Sequence, residues 1–232
     1  MRNKRLILSA ILLLGLGLTG MQAQQNNVKK TDGAPVSDID GNIYHTVTIG
    51  TQTWMCENLK TTRYRNGDSI GTTNPAIVDI SKEIAPKYQW AYKGKESNVA
   101  TYGRIYTWHT LTDNRKVCPT GWHVSSDAEW ITLVNYLGGD KIAGAKLKEE
   151  YTWHWKSPNP GAGNKSGFVI LPSGNILGDL FIGIGEGDHY WTSTEFVEDN
   201  NSAWRWLITG NGFVQRAQCP MGSRWVVRCI KD

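Results

Sequence analysis

CPTGWHVSSDAEW, residues 118–130, is the stretch whose reading decides the fold. It sets a cysteine, a Pro-Thr-Gly turn, a Trp-His pair and an Asp-Ala-Glu-Trp run side by side. That content suits either an active site or the corner of a fold. The capping logic favours a corner. Ser126 and Glu129 stand three apart, the spacing at which a serine hydroxyl accepts from the N3 amide and a glutamate carboxylate reaches back to the cap amide. Asp127 and Glu129 in the first turn also complement the helix dipole. Trp130, Leu133, Val134 and Leu137 follow at i, i+3, i+4, i+7 and make one apolar stripe. Gly138 then ends the helix. Trp122 and Trp130 are therefore expected in the core, with Ser126 and Glu129 as the cap. No catalytic role falls to His123 or Glu129.

Working outward, Asp40-Gly41 signals a hairpin turn, and Ile43, His45, Val47 and Ile49 alternate after it. Gly50-Thr51 marks a second turn, with a return strand over Thr53 to Cys56. Residues 60–100 are irregular. TYGRIYTWHTL, 101–111, fits either a helix with Ile105 and Trp108 on one face or a strand burying Tyr102, Tyr106 and Trp108 on one side, the helix being preferred. A second short helix is expected from Asp140 to Glu149, and 151–166 is a loop. Phe168 to Leu171 is a short strand, while the glycine-rich SGNILGDLFIGIGEGD is expected to be irregular. HYWTSTEF (189–196) and SAWRWLIT (202–209) are strands by aromatic and Thr content. Asn211-Gly212 is an NG turn, and GFVQRAQ and SRWVVRCIKD complete a meander. Strands, two helices, irregular segments and more strands make an α+β pattern.

The start of the chain, MRNKRLILSAILLLGLGLTGMQAQQ, has a basic n-region of Arg2, Lys4 and Arg5. An apolar run too short to span a bilayer follows. Residues 1–23 are thus expected to be a signal peptide. No cysteine follows the apolar run, so the sequence is not that of a lipoprotein. Residues 24–37 are polar and are expected to be a flexible lead, leaving 38–232 as one domain. Without the three basic residues of the leader the net charge falls from +4 to +1, which leaves no basic footprint for nucleic acid. No later segment is apolar and long enough to cross a membrane. The expected destination is periplasmic, cell-surface or secreted. The four cysteines, at 56, 118, 219 and 229, suit disulfides in such a compartment, with three pairings open. No CxxC or His-rich spacing suggests a metal, and no cofactor is expected.

WMCENLK, YGRIYTW, CPTGWHVSSDAEW, YWTSTE, AWRWL and VVRCIKD, in that order, resemble the Fibrobacter succinogenes major paralogous domain family over roughly 38–232. The resemblance implies an exported or surface protein of unassigned molecular function. It is also similar to the C-type-lectin-like fold, which implies two short helices on a small, twisted, mostly antiparallel sheet with long loops and adjacent chain ends. That superfamily includes formylglycine-generating enzymes, whose Glu-Trp helix motif is similar to Ala128-Glu129-Trp130. The calcium-site tripeptides of sugar-binding C-type lectins are missing here. Cys118 and Cys229 lie within the family's recurrent motifs, and Cys56 and Cys219 outside them. The expected bridges are Cys118–Cys229, stapling the helix entry to the last strand, and Cys56–Cys219.

Three functions compete. The first is a non-catalytic structural or protein-interaction module. The second is a carbohydrate-binding module that stacks sugars on exposed indoles, with cation assistance as an option, for which eleven tryptophans supply material. The third is an enzyme distantly similar to the formylglycine-generating enzymes, although no Ser-His-Asp order, carboxylate pair or phosphate loop stands out. The expected partner is a glycan or another surface protein. Candidate ligand-binding residues are Trp153, Trp155, His189 and Trp191, then Asp199 and Asn201. At least one of Trp153 and Trp155 should be exposed, whereas Trp204 and Trp206 share a strand face that suits the core.

Overall fold

The computed structural model describes residues 28–232 apart from Thr152 and Asp179, so the expected signal peptide lies outside the described residues. In chain order the elements are β1 (Lys30–Ser37), β2 (Ile43–Ile49), β3 (Gln52–Met55), β4 (Gln89–Ala91), α1 (Val99–Tyr102), β5 (Arg104–Thr107), α2 (Trp108–Leu111), β6 (Trp122–Val124) and α3 (Asp127–Tyr136). There follow α4 (Ala143–Leu147), β7 (Ser173–Leu177), β8 (Leu180–Ile184), β9 (Gly187–Glu195), β10 (Ser202–Thr209), β11 (Val214–Pro220), β12 (Arg224–Trp225) and β13 (Cys229–Lys231). The strands form three sheets, ordered β1-β2-β3-β13-β6, β4-β5-β12-β7-β8 and β11-β10-β9. Their ladders are antiparallel, and the fold is α+β. The last strand joins the sheet of the first described strands: β13 lies between β3 and β6, with Ile230 opposite both Trp54 and His123.

Helix α3 begins as its sequence dictates. Ser126 Oγ accepts from the Glu129 amide at 3.3 Å, and the Glu129 carboxylate accepts from the Ser126 amide at 2.7 Å. Its apolar stripe buries Trp130, Leu133 and Val134. Trp130 is the hub of the main core. It meets Trp54 edge-on at 5.4 Å, Tyr190 at 5.1 Å and Trp206 in a stack at 6.0 Å, and its indole N–H donates to Ser125 Oγ. Asp127 ties the same helix end to the third sheet by accepting from Trp206 Nε1 and from two nitrogens of Arg216. Arg216 in turn lies over the Trp204 ring at 3.3 Å.

A second core surrounds the disulfide. Cys118 and Cys229 are joined, with Cα atoms 6.1 Å apart, among Trp122, Trp191 and Trp225. The Cys56–Cys219 bridge is a correction: both thiols are free. Cys56 follows β3 and packs against the Trp130 core, whereas Cys219 on β11 packs against the disulfide core. Two separate cores hold the two thiols, and Cys219 Sγ lies 3.2 Å from Ser223 Oγ instead.

Other elements differ from expectation for local reasons. The expected lead contains β1, paired to β2 from Lys30↔Ile49 to Ser37↔Ile43. As an edge strand it is exposed on both faces, so no alternation marks it in sequence. The Asp40-Gly41 turn joins these strands, with Asp38 accepting from the amides of Asp40 and Asn42 and from the Tyr44 hydroxyl. Residues 101–111 are not one helix. Gly103, at φ +74, breaks α1 from β5, and a side chain there would come within 2.6 Å of the Asn58 Cβ. The helix expected over 140–149 is shortened to α4, where Gly144 packs directly on the Gly212 carbonyl. Residues 168–171 contribute a single bridge, Ile170 to Lys148, rather than a strand. Conversely, the glycine-rich 173–184 is ordered as the β7–β8 hairpin, with Gly174 and Gly183 at positive φ. Glycine there permits a strongly bent ladder rather than abolishing it.

Candidate functional site

The opening stretch is a corner. Trp122 and Trp130 are buried and Ser126 caps the helix. His123 nevertheless has work to do there: Nε2 lies 2.8 Å from Glu129 and Nδ1 lies 2.7 Å from Asp232. Burial opposes a charge on His123, but hydrogen bonds to Asp232 and Glu129 outweigh it and raise its pKa. A cleft of about 390 Å³ runs beside His123 and Asp232, and neither Trp130 nor Glu129 lines it.

The clearest surface feature is the segment between α4 and β7. Trp153 is 78% exposed and stacks on Tyr151, itself 59% exposed, with centroids 5.2 Å apart and planes at 26°. The segment is fastened underneath. Trp155 is buried, donating from Nε1 to the Ile170 carbonyl, with the Lys148 ammonium over its ring at 4.9 Å. His154 pairs with Glu149 at 2.9 Å and meets Tyr102 edge-on. The Lys156 amide donates to the Gly185 carbonyl, and Asn159 Nδ2 donates to the Tyr151 carbonyl. Tyr151 is held at φ +74, a left-handed conformation that costs an aromatic residue of order 1–3 kcal/mol. An anchored Trp155 thus presents Trp153 two positions earlier.

The remaining candidates do not join this platform. Trp191 is a correction: it is buried, donating from Nε1 to the Tyr106 carbonyl, and offers no surface. Trp155 is likewise a core anchor rather than a ligand contact. His189 is half-buried and stacks on Trp225 at 4.3 Å; desolvation, with Arg205 adding to it, pushes its pKa down to about 3. Asp199 is exposed but closes its own turn, accepting from the Asn201 amide and the Ser202 hydroxyl, which hold its pKa down. Asn201 lines a separate groove of about 950 Å³ between residues 77–86 and 220–224. Beside that groove stand features that the sequence reading passed over. Ile84, 99% exposed, and Leu177 on the β7–β8 hairpin, also exposed, line it. Tyr151 was overlooked as well, although its place two residues before Trp153 in an irregular segment was signal enough.

Fold and surface together define a small disulfide-stapled α+β domain with an aromatic platform on one loop and, elsewhere, a groove of mixed polarity that carries exposed Ile84 and Leu177. Among the described residues no helix is long and apolar enough to cross a membrane. Residues 47–231 match the Fibrobacter succinogenes major domain, and the chain belongs to that family. No curated protein and no solved structure matches it.

Proposed function

We propose that this is an exported, non-catalytic binding module whose Tyr151–Trp153 platform takes the apolar face of a sugar ring. The observation that carries the proposal is the exposure of Trp153 on a fastened loop. A large indole left in water costs hydrophobic free energy that a stacked sugar recovers. Pre-organisation by Trp155, Asn159 and the Glu149–His154 pair lowers the ordering cost of binding. Against an oxidising enzyme built on a cysteine pair, Cys56 and Cys219 lie in different cores, and burial pushes the Cys56 thiol up to about 11, which disfavours the reactive thiolate. Export is supported by the disulfide and by the leader-like residues 1–23.

Isothermal titration of the protein against a panel of soluble polysaccharides, with and without calcium, tests the reading. Binding by wild type that Trp153→Ala abolishes at unchanged melting temperature is the expected result. Binding that survives Trp153→Ala, or no binding across the panel, overturns it. A second reading, contact with another surface protein, is favoured by the aliphatic rim of Ile84 and Leu177 at the groove, since aliphatic side chains offer no face on which a sugar stacks. Loss of a co-purifying surface partner in Ile84→Asp, with Trp153→Ala silent, would favour that reading.

A further inference from the structure

Strand β11 is an edge of the third sheet, and hydrogen bonds at its two ends fix which backbone groups face outward. The Thr209 amide donates to the Phe213 carbonyl and the Met221 amide to the Asn201 carbonyl, so residues 213 and 221 turn inward. Alternation between them, in the unbroken register with β10, turns Gln215, Ala217 and Cys219 inward and Val214, Arg216, Gln218 and Pro220 outward. The Val214 amide agrees: it donates away from β10, to the Asp140 carbonyl at 2.8 Å. The edge thus already takes one main-chain acceptor from outside the sheet. Past that bond the amides and carbonyls of Arg216 and Gln218 face no strand among the described residues. Pro220, with no N–H, ends the open run.

Beside this edge a groove of about 630 Å³ lies between β11 and α3. Trp206 and Val214 line it on the sheet side, and exposed Ile131 with Val134 on the helix side. Arg216 fastens the strand to Asp127 at the start of the helix, and the Val214–Asp140 bond fastens it just past the helix end. Arg216 spends its charge on Asp127. Asp140, exposed on the groove wall, has no cationic partner among the described residues.

We propose that this edge and groove take an extended peptide segment of another protein as a fourth strand of the third sheet, with an aliphatic side chain in the groove and a basic residue beside Asp140. Main-chain bonds to Arg216 and Gln218 supply affinity, and the groove selects the side chain. Aliphatic walls suit an aliphatic residue, and the unmatched Asp140 carboxylate selects a cation. A second copy of this edge fits less well, since its outward run offers only Arg216, already paired. The groove shares no lining residue with the Tyr151–Trp153 platform or with the groove that carries Ile84.

The test selects random heptapeptides on phage against the whole protein and titrates the selected sequences, as synthetic peptides, by fluorescence anisotropy. The expected consensus has aliphatic residues at alternate positions and Lys or Arg at one end, and the complex should show slowed hydrogen exchange at the Arg216 and Gln218 amides. Gln218→Pro removes an outward N–H and no bond to β10, so it should weaken binding about tenfold at an unchanged melting temperature. Asp140→Asn should weaken it about threefold. Where Gln218→Pro fails to fold, N-methylation of the peptide decides: methyl groups on alternate residues should abolish binding, and those on the intervening residues should leave it intact. Peptides that bind Gln218→Pro and wild type equally, peptides that tolerate every N-methyl group, or a failure to select any sequence overturn the site. Dimerisation that Gln218→Pro removes would seat a second copy on the edge and equally overturn the assignment.

Discussion

Trp130 and Trp153 are chemically identical, and the molecule uses them in opposite ways. Trp130 heads the stripe of a capped helix, is fully buried, and touches aromatic rings from β3, β9 and β10. Trp153 stands on a loop with one aromatic neighbour, and water covers most of it. The difference lies in what surrounds each residue in sequence. Regular spacing commits an indole to a core face, whereas a segment without period leaves it to be fixed by hydrogen bonds from below. High tryptophan content therefore says little about binding until each indole is placed.

The sharpest way to break this contrast is to truncate the buried member. Trp130→Ala should cost about 3–5 kcal/mol in urea denaturation, since it empties the hub of the main core. A loss near zero would mean that the core is organised elsewhere. Next in size comes the staple. Replacing Cys118 and Cys229 by serine opens a loop with a sequence separation of 111 residues and should cost about 2–4 kcal/mol. Reducing agent should destabilise wild type to a similar extent and leave the double variant unaffected. Ser126→Ala removes the hydroxyl of the capping box and should cost about 1 kcal/mol, measured as a lower urea midpoint at unchanged slope.

The corner should also respond weakly to pH. His123 has its folded pKa raised, so the contribution of its ion pairs is fully present below the ordinary histidine value and is lost as pH rises through the higher folded value. Because the ring is partly exposed, the effect should stay below about 1 kcal/mol after solvent screening. His123→Gln should flatten the stability profile across that window, and an equally steep profile in the variant would assign the titration to another group. Smallest of all, Trp153→Ala should change stability by less than about 0.5 kcal/mol. A cost comparable to that of Trp130→Ala would erase the distinction between the two tryptophans.

The parts of the fold legible in sequence were those where one local rule acts alone. The Ser126–Glu129 box, the Trp130 stripe, the Asn211-Gly212 turn and strands β9 and β10 each follow from spacing within a short window. Edge strand β1 was hidden because it buries no face, and the β7–β8 hairpin because its glycines obscure alternation. The candidate site was half legible. Trp153 was placed by its irregular surroundings, but Trp155 and Trp191 belong to the core through hydrogen bonds to Ile170 and Tyr106, contacts that span the chain. The groove between α3 and β11 depends on elements distant in sequence, and no short window contains it.

The position of β13 sets an order of assembly. It enters between β3 and β6, so the first sheet is completed by the last described strand to be synthesised. Before that moment the β1–β3 meander and β6 are two unjoined halves, each offering an open edge, and Cys118 lacks the partner it has in the folded domain. A chain clipped ahead of Cys229 would lose the seam of the sheet rather than its rim, together with the only crosslink among the described residues. The topology thereby acts as a check on completeness: only a chain read through to its final strand can close this domain.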